Sequence, residues 1–285
     1  MRGLIFCFAV LASAATVTRP PITGVAHIAL RTNDMPGARQ FYGHVLGFSD
    51  SAEPNDGVRF VVNRQQEIEV FPSLTGETED RLINIAFETT DARQLRDYLA
   101  SRGVTVPDSV SENAGTLWFE MKDPEGHAVQ FVQYAKGALP KPGDKGISKR
   151  MIHVGVTVSD REAEDRFYRD ILGFKDIWHG GMKDTQTDWV DMRVPDGTDW
   201  LEYMLNVHNP SPHTLGVMHH LALGIPHIQD GYRMVLDRGY KPPEPPQIGR
   251  DGKWQLNLYD PNYTRVELME PKPVRKPCCS PILND

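Results

Sequence analysis

Two stretches of this chain follow one plan. GVAHIALRTNDMPGARQFYGHVLGF at 24–48 and RMIHVGVTVSDREAEDRFYRDILGF at 150–174 each run from an apolar strand carrying a His, through an acidic turn and an amphipathic helix, to FY…LGF. A second pair does the same: RLINIAFETTDARQLRDYLASRGV (81–104) matches VMHHLALGIPHIQDGYRMVLDRGY (217–240). Each of these leads into a hairpin, WFEMKDPEGHAVQFVQY at 118–134 and LNLYDPNYTRVELME at 256–270. Self-similarity at a long, fixed period means copies of one supersecondary unit, and it constrains the fold more than any local propensity. The unit here is strand–helix–strands, with two units to a domain.

Strand phase then sorts the side chains, because alternate residues of a strand share a face. In 151–158, Ile152, Val154, Val156 and Val158 read as the face that packs on helices, while His153 shares the other with Gly155 and Thr157. In 218–225, His219 is in phase with Leu221, Leu223 and Ile225, whereas His220 is in phase with Ala222 and Gly224. Phase therefore selects His220 over His219 as a site residue. Glu267 lies between Val266 and Leu268, and Glu202 between Leu201 and Tyr203. His153, Glu202, His220 and Glu267 thus all avoid the helix-packed face. Two imidazoles and two carboxylates converging from four strands suit a divalent ion such as Zn, Ni, Co, Mn or Fe(II). Gly155, Ala222 and Gly224 are small enough to leave room for an ion and a ligand.

The repeated βαβββ plan, with FYRDILGF, YDPNYTRVELME and a His in the first strand, resembles the vicinal oxygen chelate superfamily. Its members include glyoxalase I, methylmalonyl-CoA epimerase, extradiol dioxygenases and bleomycin-resistance proteins. The resemblance covers 22–271 and implies an α+β fold of four modules, paired into two glyoxalase-like domains with curved mixed sheets. It places metal ligands on the first and last strands of a module, which here are His153, Glu202, His220 and Glu267. The full set is similar to the glyoxalase and epimerase branch. The dioxygenase branch needs only His153, His220 and Glu267, a facial triad with open positions. Ring cleavers of that type usually also carry an acid–base His upstream of the last hairpin and a Tyr near its Asp-Pro turn. This chain has Asn257 at the Tyr position and no His between Ile228 and Glu267.

A divalent ion that chelates two neighbouring substrate oxygens polarises a carbonyl and stabilises an enediolate formed when the adjacent carbon loses a proton. Glu267 or Glu202 is the expected base. The expected function is a glyoxalase-like isomerase, epimerase or lyase acting on a small oxygenated substrate. The alternatives are an Fe(II) ring-cleaving dioxygenase and a metal-independent small-molecule binding protein. Trp189, Arg193, Trp254 and Asn257 are candidate substrate contacts. In the first half the equivalent positions are His27, Glu69, Asn84 and Gln130. Neutral amides are weak ligands, so this half reads as a degenerate copy.

The chain has 24% charged and 40% hydrophobic residues, ordinary for a globular protein, and its net charge of -7 argues against nucleic acid as a partner. Arg2, the apolar run Leu4 to Leu11 and Ala12-Ser13-Ala14 read as an export signal with its cleavage site. The expectation is an exported protein, periplasmic or extracellular, with no membrane partner after signal removal, as a monomer or homodimer. The boundaries read as signal and leader 1–21, first domain 22–134, Gly/Pro/Lys-rich linker 135–149, second domain 150–271 and tail 272–285. Cys278 and Cys279 are adjacent in the tail and cannot staple the domains together. Residues 175–188, 206–216 and 241–252 read as connections, the first as a possible lid over the pocket.

Overall fold

The computed structural model describes residues 17–283. The signal segment expected at the N-terminus therefore lies almost wholly outside the described residues. Among the described residues, no helix is long and apolar enough to cross a membrane.

The chain forms two eight-stranded mixed sheets with few helices, an α+β architecture. The first sheet comprises β1 (Ile22–Arg31), β2 (Ser49–Ala52), β3 (Val58–Val61), β4 (Glu67–Phe71), β5 (Leu82–Thr89), β6 (Ser111–Asn113), β7 (Thr116–Lys122) and β8 (Ala128–Gln133), in the order β2-β3-β4-β1-β5-β8-β7-β6. The second comprises β9 (Met151–Thr157), β10 (Lys175–Gly180), β11 (Trp189–Arg193), β12 (Trp200–Met204), β13 (His220–Gly224), β14 (Gln247–Ile248), β15 (Trp254–Tyr259) and β16 (Arg265–Met269), in the order β10-β11-β12-β9-β13-β16-β15-β14. In each, the first strand sits at the centre, parallel to one neighbour and antiparallel to the other. Each sheet curls, with its apolar face on the core and its polar face concave.

The first helix of each half begins as a short α-helix, α1 (Met35–Ala38) or α3 (Arg161–Glu164), and continues as a π-helical segment through Val45 or Ile171. Asp34 and Asp160 cap them, accepting from the Gly37 and Ala163 amides, as short side-chain acceptors do at helix N-termini. The LGF glycines, Gly47 and Gly173, have φ of 76° and 84°, a left-handed turn that only Gly enters without a Cβ clash and that ends each helix.

One apolar core runs through both halves without a break. Phe87 of β5 (Leu82–Thr89) meets Phe174 and Tyr168 of the second half, and Phe41 of the first helix meets Tyr240. The seam is reciprocal. Tyr42 donates to Asp260 in the Asp-Pro turn of the second half (3.0 Å), and Tyr168 donates to Asp123 in the Asp-Pro turn of the first (3.3 Å). Gln66 crosses the seam too. Its amide donates to the Val25 and Met151 carbonyls, and its oxygen accepts from the Met151 amide.

Four local expectations are corrected. A β-bulge places Met151 opposite Leu223 and His153 opposite Ala222, so Met151 takes the core position expected for Ile152, which is only half-buried. Residues 175–180, read as part of a polar loop, form β10 and pair with β11 (Trp189–Arg193). The 206–216 connection holds the start of α4 (Pro212–Met218), capped by Ser211. The 241–252 loop carries the two-residue strand β14 (Gln247–Ile248). The tail lies along β10 through Ser280 and Leu283, and Cys278 and Cys279 form an adjacent disulfide.

Candidate metal centre

The four donors meet on the concave face of the second sheet. β9 carries His153, β12 (Trp200–Met204) carries Glu202, β13 (His220–Gly224) carries His220 and β16 carries Glu267. The register places Glu202 and His220 on either side of Gly155, and Glu267 beside Ala222. Gly155 is what lets His220 in: a Cβ there would lie 2.0 Å from the His220 ring. His153 Nε2 lies 3.1 Å from His220 Nε2, 3.6 Å from Glu267 Oε2 and 3.9 Å from Glu202 Oε2. His220 Nε2 and Glu202 Oε2 are 3.1 Å apart. His153, His220 and Glu267 are buried, with donor atoms all within 4.8 Å of one another, and Glu202 stands beside them, more exposed.

The environment favours ligation. Burial, with Arg265 beside it, holds His220 well below the ordinary imidazole value, and burial does the same to His153 against the pull of Glu202. Both rings are therefore neutral, the form that binds a metal. His220 Nδ1 donates to the Met218 carbonyl at 2.8 Å, which leaves the Nε2 lone pair facing the cluster. Burial pushes Glu267 up to about 8, with Arg265 pulling down and Glu202 pushing up. Buried Asp191, opposite Glu202 on β11, is also pushed well up, by burial first and then by Glu202. Carboxyl groups crowded in a buried space hold protons that a bound cation would displace. These residues are the candidate donors for a divalent metal ion, its identity open.

The glyoxalase/bleomycin resistance protein/dioxygenase superfamily model matches residues 24–131 and 150–268. The chain belongs to this superfamily. Within it, the chain is 27% identical over 169 residues to an iron-dependent extradiol dioxygenase of Rhodococcus jostii (strain RHA1), a match covering 54% of this chain and 55% of that protein. The alignment thus spans about half the length of this curated relative. Two solved members of the superfamily share the fold over most of their length. The Mn(II)-bound glyoxalase from Novosphingobium aromaticivorans has a TM-score of 0.70 at 17% identity, covering 88% of this chain and 83% of that one. The 2,3-dioxygenase LapB from Pseudomonas sp. KL28 has 0.66 at 14%, covering 91% and 97%.

The candidate substrate contacts divide. Trp189 and Arg193 lie in phase with Asp191 on the concave face, Arg193 opposite Trp200. Asn257 pairs with Glu267, its Oδ1 is buried without a hydrogen-bond partner, and it lines a cavity of about 490 Å3 with Tyr259, Tyr263 and His213. Trp254 is different: it is in phase with Leu256 and Leu258 and packs against the core instead. Sequence reasoning missed Arg265, whose Nη2 lies 2.8 Å from His220 Nε2, and Trp200, whose ring is 4.8 Å from that of His153. Arg265 was readable, two residues before Glu267 and so on its face. Trp200 is likewise in phase with Glu202. Asp191 was not readable, because only the strand register brings it opposite Glu202.

In the first half, His27 and Asn84 are hydrogen bonded at 3.0 Å, Glu69 lies beside Ala29, and Gln130 donates to Glu120. Glu67, missed although it precedes Glu69 by one alternation in EIEVF, pairs with His27 and is only 2% exposed. Burial first, and then Glu69, push Glu67 up to about 8 against the pull of Arg59.

Proposed function

We propose that the chain is a metal-dependent enzyme that moves a proton on a small oxygenated compound, an isomerase, epimerase or lyase of the glyoxalase type. Glu202 carries this reading. It stands 3.1 Å from His220 Nε2, beside a compact group of three buried donors, and is more exposed than Glu267. When bound, a divalent ion would polarise two neighbouring substrate oxygens and acidify the adjoining C–H. His153, His220 and Glu267 would hold it. Glu202 is then the group free to accept the proton on Oε2 and return it to a neighbouring atom. Asn257 Oδ1, unpartnered and beside Glu267, accepts a hydrogen bond from a substrate hydroxyl, and Arg265 supplies positive charge to developing negative oxygen.

A second reading, Fe(II)-dependent ring cleavage of a catechol-like compound, is favoured by the three-donor group His153, His220 and Glu267 and by the extradiol dioxygenase relative. The two separate cleanly. Glu202→Gln is expected to keep the metal held by His153, His220 and Glu267 and lose at least about a hundredfold in turnover of a hydroxy-carbonyl substrate. Oxygen uptake with catechols that survives Glu202→Gln would replace the first reading by the second. Export to the periplasm or exterior remains part of the proposal, resting on the N-terminal segment; cell fractionation of the full-length chain tests it.

A further inference from the structure

The concave face of the first sheet has its own cluster, distinct in make-up from the one above. His27 faces Glu67 across β1 and β4 (Glu67–Phe71), and Glu69 follows on the same face. A ring nitrogen of His27 and a carboxylate oxygen from each Glu lie within 4.8 Å of one another. The three line a cavity of about 460 Å3 with Glu53, Arg59 and Trp118. With Asn84 Oδ1 accepting from His27 Nε2–H, the lone pair rests on Nδ1, which has no hydrogen-bond partner although His27 is only 5% exposed. Glu67 Oε2 is likewise buried without a hydrogen-bond partner, beside the Arg59 guanidinium. Three carboxyl groups, Glu53, Glu67 and Glu69, face one guanidinium, so acidic groups outnumber basic ones around the cavity.

We propose that His27, Glu67 and Glu69 form a second divalent-cation site, oxygen-rich and suited to a harder ion such as Mn(II). It is not the first site's pattern repeated. The counterparts of His220 and Glu267 are the amides Asn84 and Gln130, and the missing carboxylate comes instead from Glu67, whose counterpart in the second sheet is Trp200. Arg59 is the competitor, since it pairs with Glu67. It is also held by Glu53 at 2.7 Å, so yielding Glu67 to an ion leaves it paired.

The test counts Mn(II) bound to chelator-stripped full-length protein by equilibrium dialysis, with free ion read by electron paramagnetic resonance. Wild type is expected to bind two ions and His153→Ala/His220→Ala one. Adding Glu67→Gln to that variant should leave none. Arg59→Gln should tighten the N-terminal site about tenfold, the worth of one charge-assisted hydrogen bond removed from the competition. If the double-His variant aggregates, Glu69→Gln in otherwise wild-type protein should lower the count from two to one. A wild-type count of one that disappears with His153 and His220 overturns the second site and leaves the first intact. A count unchanged by both Glu67→Gln and Glu69→Gln also overturns it. A count of one that survives loss of His153 and His220 supports the N-terminal site and removes the C-terminal one.

Discussion

At the scale of single residues, the centre depends on what is absent at position 155 as much as on its donors. A methyl at Gly155 would occupy the space of the His220 ring. Gly155→Ala is therefore expected to push His220 out of line and weaken metal binding about tenfold or more, while the sheet still forms. Metal titration beside far-UV circular dichroism checks this; unchanged affinity would mean His220 is not a donor. Asp199 offers a measurable pH effect away from the metal. It accepts from the Val25 amide and from Arg150, and burial pushes it up to about 6 in spite of them. A carboxyl raised on folding binds its proton more tightly in the native state. Its contribution is complete below the ordinary value of 3.8 and is lost as pH rises through about 6. The stability advantage of wild type over Asp199→Asn should accordingly shrink over that interval in urea titrations. An advantage that grows with pH would reverse the assignment.

At the scale of elements, side-chain phase was legible and strand register was not. His153, Glu202, His220 and Glu267 could be placed on one face because a strand alternates strictly, and three small residues marked where space was kept. The bulge at Ile152 broke that alternation without a sequence signal, since Met151 and Ile152 are both apolar. β10 was hidden because its edge position leaves it polar, and α4 because Pro, Ser and Gly, usual breakers, serve here as first turn, cap and a close contact with the Tyr263 backbone. Glu67 was overlooked because its counterpart in the other half is Trp200. Among the helices, the first of each half reaches across the seam. Removing one tip, by Tyr42→Phe, leaves buried Asp260 without its tyrosine donor and is expected to cost about 1.5–3 kcal/mol. Chemical denaturation with an unchanged m-value would report that loss, and no loss would show the pair to be dispensable.

At the scale of the whole molecule, two sheets share one core, so the chain is expected to unfold in a single calorimetric transition with the halves melting together. Two resolved transitions would mean the seam is weaker than its buried aromatic contacts indicate. The reciprocal seam has a further consequence. Each half carries both a donor tyrosine and an acceptor aspartate, Tyr42 with Asp123 in one and Tyr168 with Asp260 in the other. A half is thus complementary to the other half and, in outline, to itself. Severed from its partner, the second half would still hold a donor tyrosine and an acceptor aspartate to offer to a twin of itself.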